Sequence, residues 1–444
     1  MRRRNKNLSE SHRRMRMSST LQMILRALVL GLVSAVPAYA ETLTWQASVQ
    51  ESAANNAELR AARANLDAAG YNASAAYGGL YPQVSAGVGY TDTSGTTSSG
   101  SSTIGSTTYV GKTYNASVSA SQNLFAGFRD SARIDQGAAN RDVAAASLAL
   151  AKARVSQALK SAFAGLKFAQ DSVTLAASIV QRQEENVRLV ELRFESGREN
   201  KGSMLLTRAS LAQARLSQLQ AGQALVTARA RFAQALGRSD AGELEVRGDV
   251  PTVEPAQTPD FRRIALQAPD YFQASAQEKS ASAGVTLARA GLYPSLDLSG
   301  SVGHLGSDWF PEDERRSVGL NLTVPIFSGG RDYYTTRGAA ASLDAASSNK
   351  QTIERQLLVN LNQAYAGYVQ AVEQLKVNQA FLDAAQVRAE IARSQYNNGL
   401  ISFNDWNLIE TDLIQRQTSY LQSQRDRIVA EASWEQAQGK GVIP

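Results

Sequence analysis

The sequence predicts an α+β membrane protein built as a tandem repeat, each half joining a β-hairpin to a long antiparallel helical hairpin. Three observations predict it. The motif Gly-Leu-Tyr-Pro occurs at Gly79–Pro82 and again at Gly291–Pro294, each time between an Ala-rich helical run and a run that alternates apolar and polar residues. Two long stretches, from Asp130 to Phe194 and from Tyr333 to Tyr396, contain no Pro and carry apolar residues at helical spacing. One offset of 202 residues aligns the second half with the first over more than a hundred residues. Period two marks strands, period 3.6 marks helices, and a constant offset marks duplication.

The N-terminus reads as a secretory signal over residues 1–40. Arg2, Arg3, Arg4, Lys6, Arg13, Arg14, Arg16 and Arg26 form a basic region, Ala27 to Val36 is apolar, and Ala38-Tyr39-Ala40 fits a small-x-small cleavage site before Glu41. The apolar run is about half the ~20 residues a membrane-spanning helix needs. Removing this segment changes the charge argument. The whole chain carries +6, but residues 41–444 hold 38 basic and 39 acidic residues, a net −1. The basicity belongs to the signal, so no electrostatic case for a nucleic-acid partner remains. The absence of Cys removes disulfides, thiol nucleophiles, Cys-ligated metals and a lipidated N-terminal Cys.

The first repeat spans 41–249. Residues 43–78 read as one Ala-rich helix with Leu43, Val49, Leu59 and Leu66 as larger apolar positions. Pro82 closes it and opens a strand over 81–90, with Val84, Ala86, Val88 and Tyr90 on one face. Residues 91–112, rich in Ser, Thr and Gly, read as a polar loop, and 113–125 alternate again. Together 81–125 form a β-hairpin. A helical hairpin comes next, over 130–236. Its first limb is roughly 100 Å long at 1.5 Å per residue. It breaks at Gly197-Arg198-Glu199-Asn200-Lys201-Gly202, and a return limb runs from Ser203 to Leu236 before Gly237.

Residues 238–260 contain three Pro and are read as a connecting stretch, with 250–260 as the linker proper. The second repeat, 261–444, runs in the same order. A helix covers 261–290. Strands at 293–303 and 317–327 make the hairpin 293–327 around a loop holding Trp309 and Pro311-Glu312-Asp313-Glu314. The helical hairpin 333–438 has a limb with Leu357, Leu361, Tyr365, Tyr368, Val372 and Leu375 on one stripe, a break at Asn398-Gly399, and a return limb from Asn404. At the common offset Leu124-Phe125-Ala126-Gly127 matches Ile326-Phe327-Ser328-Gly329, Phe194 matches Tyr396, Gly197 matches Gly399 and Gly237 matches Gly439.

Four strands of about ten residues match the 9–11 that cross an outer membrane when tilted. One face is apolar and the other small and polar, and between Gly79 and Phe128 the only charges are Asp92 and Lys112. Tyr81, Phe125, Tyr293 and Phe327 are expected at the periplasmic edge of the bilayer, as a membrane-edge girdle. A soluble β-sandwich edge is the alternative, and it leaves the four strands unexplained between such long helices. Four strands cannot close a barrel, and open edges in lipid leave backbone groups unsatisfied. The strands therefore require several copies of the chain and outer-membrane lipid around them.

An enzyme is not expected. The only His after residue 40 is His304, placed in a loop, and there is no Gly-rich phosphate loop or metal-ligand spacing on a helix or strand. No cofactor and no metal are called for. Asp297, on the polar face of a strand, reads as a lumen-lining residue, and Glu312-Asp313-Glu314 as a solvated loop run. A periplasmic coiled-coil adaptor or structural protein is the second reading; the long hairpins permit it and the four alternating segments oppose it.

This order of elements resembles the TolC family of outer-membrane export ducts over about residues 41–440. The resemblance rests on the duplication, on Leu80-Tyr81-Pro82 and Leu292-Tyr293-Pro294, on Phe-x-Gly at 125–127 and 327–329, and on Phe194-x-x-Gly197 and Tyr396-x-x-Gly399. It implies a homotrimer, with a twelve-stranded β-barrel in the outer membrane continuing into a periplasmic α-helical barrel. It implies a passive duct for small-molecule efflux or type I protein secretion. The implied partners are a periplasmic adaptor, contacting hairpin tips at Gly197, Arg198, Gly399 and Leu400, and an inner-membrane pump or ABC exporter. It places Asp405 where the family has an acidic gate residue; on the residues alone, Asp405 also fits a helix N-terminal acid favoured by the dipole. The family's second acid falls on Leu408, its bracing basic residue on Ile401, and the partner of its tip tyrosine, here Tyr396, on Ser203. Arg198, Glu199 and Lys201 are alternative sources of tip contacts.

Overall fold

The computed structural model describes residues 41–97, 107–255 and 259–444, with side chains from 95 to 110 left aside. Residues 1–40, expected to be a secretory signal, lie outside the described residues. The opening helix is not continuous. Glu41–Leu43 forms a short strand, β1, and Asn56 divides the helical run after it into α1 (Trp45–Asn55) and α2 (Ala57–Ala76). Asn56 has extended backbone angles, and its side chain accepts from Glu58 N at 2.9 Å and Leu59 N at 3.3 Å. An Asn that satisfies the first free N–H groups of a helix favours a new start over continuation.

The Gly-Leu-Tyr-Pro motif begins inside a one-turn 3-10 segment, Tyr77–Leu80, that tightens the end of α2 before the chain extends at Tyr81. The second copy does the same at Ala290–Leu292. Its glycine has a packing role. A Cβ on Gly79 would lie 3.0 Å from Asp130 Oδ1, and one on Gly291 would lie 3.3 Å from the Asp332 carboxyl. Both aspartates belong to the repeated segment that starts each long helix. The two motifs recognised separately in the sequence touch each other in both halves.

Four strands come after the motif in pairs: β2 (Gln83–Thr97), β3 (Thr107–Ala126), β5 (Ser295–Gly306) and β6 (Asp313–Thr323). They form one antiparallel sheet in the order β2-β3-β5-β6, so the two hairpins pair through β3 and β5. The first hairpin is longer than expected, because the Thr residues of the Ser/Thr/Gly run pair across it, Thr91 with Thr113 and Thr97 with Thr107. The second hairpin is displaced outward from the expected 317–327. Pro325 has no N–H to give the ladder, so the strand stops at Thr323 and Phe327 falls outside it. Asp313 and Glu314, expected in a loop, are strand residues, and so is His304. Leu124 is an extra residue between the Asn123–Asp297 and Phe125–Leu296 pairs, a bulge at the base of β3.

The long limbs are α3 (Arg129–Glu195) and α7 (Arg331–Asn397), each of 67 residues and offset by 202 at both ends. The return limbs are α4 (Lys201–Leu236) and α8 (Phe403–Ala437). Between them lie β4 (Leu244–Val246), paired with β1, and then α5 (Phe261–Gln267) and α6 (Pro269–Arg289). Residues 261–290 are thus two helices rather than one. Pro269 supplies no N–H to continue α5 and sits instead in the first turn of α6. On the sheet side the helices pack in the order α2-α3-α6-α7; toward the far ends the order is α4-α3-α8-α7.

Large apolar side chains concentrate midway along the long limbs. Trp45, Leu159, Phe163, Leu166, Phe232, Leu236 and Leu244 form one core, and Ala265, Ala268, Leu357 and Leu361 a second, flanked by Phe261 and Trp434. Between these two lies an ion triad, buried Lys160 Nζ at 2.9 Å from both buried Glu431 and the partly exposed Glu435. The connection entering the second half is tied to it: Val253 N–H donates to Glu431 at 3.3 Å, and the Tyr368 hydroxyl donates to Val253 O.

Candidate functional site: the hairpin tips and the sheet faces

Both long limbs reverse by the same device. Gly197 and Gly399 have φ of 72° and 75°, in the left-handed region. Gly197 N–H bonds Phe194 O at 3.0 Å and Arg198 N–H bonds Arg193 O at 2.8 Å; Gly399 and Leu400 repeat this with Tyr396 and Gln395 at 2.9 and 2.8 Å. This is a Schellman end, which needs a residue free to adopt positive φ. The return limbs then start on side-chain caps, Asn200 accepting from Ser203 N and Ser402 accepting from Asp405 N.

Tyr396 is the centre of the tip. Its ring stacks on Trp406 at 4.4 Å and 3°, and the Arg193 guanidinium lies 4.4 Å from the centroid. Arg193 also donates to Tyr396 O at 2.6 Å. The Tyr396 hydroxyl donates to Glu199 Oε2 at 2.8 Å, crossing from the second hairpin to the first. Glu199 is held by the Asn200 N–H at 3.1 Å. Burial first, and the Glu199 bond next, push the phenol well above its ordinary value, so Tyr396 is a neutral donor. Val190, Ala392 and Phe403 complete the buried cluster, with Ile401 packed on it.

The expected tip residues separate into three groups. Tyr396 meets the first hairpin through Glu199, while buried Ser203 is engaged in the Asn200 cap. Asp405 is exposed, and Ser402 Oγ donates to it at 2.7 Å, which is the capping arrangement that fits an acid in the first turn. Arg198 and Leu400 project into solvent, Leu400 at 73% exposure. Arg193 and Trp406 were not singled out from the sequence. The signal available was a Trp and an Arg at the ends of Ala- and Gln-rich limbs.

The sheet presents two unlike faces. Val84, Val88, Val118, Leu298, Val302, Val318, Leu320 and Leu322 share one face and are all solvent-exposed, Val88 at 90% and Val318 at 86%. The other face carries Ser85 paired with Ser119 at 2.9 Å, Ser301 with Ser317 at 2.8 Å, and Asn, Gly and Thr between. So extended an apolar surface marks a membrane or protein contact. Of the expected girdle, Phe125 and Tyr293 meet through Phe128, at 5.6 and 5.8 Å; Tyr81 and Phe327 are exposed and stand apart from that cluster. Phe128 is the one non-glycine residue at positive φ among the described residues, 69°, where the second repeat has Gly330. At the opposite end of the apolar face Tyr90, Tyr114 and Trp309 form a second aromatic group, with centroids at 4.9 and 5.6 Å.

Among the described residues no helix is long and apolar enough to cross a membrane, and no group of three His, Cys, Asp or Glu is placed to hold a metal.

The family model for outer membrane efflux proteins matches residues 48–238 and 262–440, one segment for each half. The chain belongs to the outer membrane efflux protein family. SilC of Salmonella typhimurium is 24% identical over 417 residues, covering 89% of this chain and 85% of SilC. The alkaline protease secretion protein AprF of Pseudomonas aeruginosa is 25% identical over 248 residues, 54% of this chain and 52% of AprF. Among solved structures, the outer-membrane channel OprN superposes with a TM-score of 0.80 at 23% identity, over 90% of each chain. CusC superposes at 0.78 and 18% identity, over 89% of this chain and 92% of CusC. These likenesses establish the fold as that of outer-membrane channels. The family places the protein in the outer membrane as a passive exit duct reaching into the periplasm.

Proposed function

We propose that three copies of the chain close a twelve-stranded barrel over a periplasmic helical tube, and that the tube is gated at the hairpin tips. The supporting observation is the pair of open edges. β2 and β6 end the sheet with unpaired backbone groups beside an exposed apolar face, and in lipid each unsatisfied group costs several kcal/mol. Pairing β6 of one copy with β2 of the next removes every edge. The same operation brings α7 of one copy beside α2 and α4 of the next, extending both helix rows into a ring. A periplasmic adaptor without a barrel has no use for the exposed valines and leucines of the sheet.

In this reading residues 1–40 are a cleaved signal, 41–249 and 261–444 are the two structural repeats joined by 250–260, and the duct has no catalytic machinery. Tyr396 and Glu199 latch the hairpins, and Asp405, projecting beside them, contributes a carboxylate from each copy to an acidic gate. Gly197, Arg198, Gly399 and Leu400 form the surface offered to a periplasmic adaptor, itself joined to an inner-membrane pump or ABC exporter. Tyr81, Phe125, Tyr293 and Phe327 line the periplasmic membrane edge. AprF is named for protease secretion and CusC for cation efflux, so relatives serve both kinds of cargo; a deletion strain separates them by drug or metal sensitivity against loss of a secreted protein.

The chain contains no Cys, so paired substitutions at the edges give a clean test. Val88→Cys or Val84→Cys combined with Val318→Cys or Leu322→Cys, treated with a short bis-thiol reagent in outer membranes, should yield covalent trimers. Intrachain products alone, from all four pairs, would refute closure by copies.

A further inference from the structure

The polar sheet face is poor in charge, and its charges sit far apart. Among the described side chains it carries Asp297 near the periplasmic end and Asp313 with Arg315 near the other. Asp297 lies in one rung with Asn123 on β3 and Asn321 on β6. Neither amide serves it. Asn123 Nδ2 donates to Asp130 at 2.8 Å, and Asn321 Nδ2 donates to Thr323 at 3.2 Å. Among the described residues Asp297 has no ion pair and no side-chain hydrogen bond. The Arg315 rung is six residues along the ladder, about 20 Å away at 3.3 Å per residue, beyond the ~8–10 Å over which charges interact in ordinary salt. The residue matching Asp297 in the first half, at the 212-residue offset of the strands, is Ser85. The duplication therefore gives each chain one carboxylate here rather than two.

We infer that Asp297 gives the barrel end of the duct its own cation preference, separate from any selectivity at the periplasmic tip. This rests on the closed trimer of the proposed function, in which three free carboxylates face the lumen at the base of the barrel. Twelve strands about 4.8 Å apart and tilted as barrels require give a backbone radius of about 12 Å. Three charges at that radius raise the cation concentration on the axis about threefold in 0.01 M salt, where the screening length is ~30 Å. At 1 M, with a screening length of ~3 Å, the enrichment vanishes.

The test is reversal potential in planar bilayers, with wild-type trimer and tenfold KCl gradients of 0.01 to 0.1 M in both orientations. With the dilute solution on the barrel side, Asp297→Asn should lower the cation-over-anion preference by up to about tenfold, since the potential that enriches cations about threefold depletes anions by the same factor. With the dilute solution on the tip side the barrel sits in 0.1 M salt, where the screening length is ~10 Å, and the effect of Asp297→Asn should shrink to about threefold. A second variant guards against a folding defect: Asp297→Cys should react with water-borne methanethiosulfonates, an anionic reagent restoring the preference and a cationic one reversing it. An unchanged barrel-side preference in Asp297→Asn, or a Cys at 297 that the reagents do not modify, overturns the inference while the duct reading stands. A trimer that conducts no ions even when the tip is opened by Glu199→Ala overturns both.

Discussion

Breaking the bond between Tyr396 and Glu199 should favour the open tip, and the structure sets the order of the effects. The bond is charge-assisted, 2.8 Å long, and its donor is 1% exposed. Glu199→Ala leaves a buried hydroxyl with no acceptor, a cost of about 2 kcal/mol. Tyr396→Phe removes the donor instead, and the half-exposed carboxylate turns to water, so its cost should be about 1 kcal/mol. Glu199→Gln keeps a neutral acceptor and should cost least. Taking 1.4 kcal/mol per tenfold, the opening equilibrium per protomer should shift about 30-fold, 5-fold and less than 5-fold. Stacking on Trp406 and the Arg193 contact survive in all three, so none should unfold the tip. The assay is single-channel open probability, supported by entry of a large antibiotic normally excluded by the closed duct. The decisive measurement is the double variant Glu199→Ala/Tyr396→Phe. If the two residues act through this bond, the double variant opens no more than Glu199→Ala alone. Fully additive effects, or a wild-type open probability in Glu199→Ala, would refute the latch.

Lys160→Met should destabilise by about 3–5 kcal/mol, because Glu431 is left buried with its charge unpaired; a lower thermal unfolding temperature is the readout. Gly237→Ala should destabilise far more than Gly165→Ala. At Gly237 φ is 86° and a Cβ would lie 2.5 Å from Asn55 O, whereas Gly165 lies within a helix with no atom within 4 Å, where Ala should gain about 0.5–1 kcal/mol. Raising pH should weaken the fold through Tyr368 and Tyr396. Burial holds the Tyr368 phenol up to about 12 and Tyr396 above its ordinary value, so the stability from these neutral phenols is complete below about pH 10, the unfolded value, and is lost as pH rises through the folded values. Tyr368→Phe together with Tyr396→Phe should flatten the alkaline side of the stability profile, measured by thermal unfolding from pH 9 to 12.

Most of the architecture was legible because it depends on periodicity, which a sequence displays directly. Strand alternation, the two long Pro-free limbs and the 202-residue offset specify the hairpins. Element ends were less legible where competition between neighbours decides them. Asn56 starts a new helix only because its side chain finds the Glu58 and Leu59 N–H groups. The strand expected to reach Phe327 stops at Thr323, where the ladder partner ends and Pro325 cannot donate.

The tip shows the same division. Its reversal at Gly197 and Gly399 and the centrality of Tyr396 follow from local sequence, since positive φ and a paired offset are properties of single positions. Which residue receives the Tyr396 hydroxyl does not follow, because it depends on how two hairpins some 200 residues apart pack together. The family resemblance sets Ser203 opposite Tyr396, and the fold puts Glu199 there, with Arg193 and Trp406 around the ring. By itself the sequence determined the elements, their duplication and the need for a membrane, all of which are written in local patterns of side-chain polarity. Only the tertiary structure decided the pairing of β3 with β5, the meeting of each Gly-Leu-Tyr-Pro glycine with an aspartate of the next motif, and the bond from Tyr396 to Glu199. Each of these is a contact between segments far apart in the chain, chosen by packing and by the requirement that buried polar groups find partners.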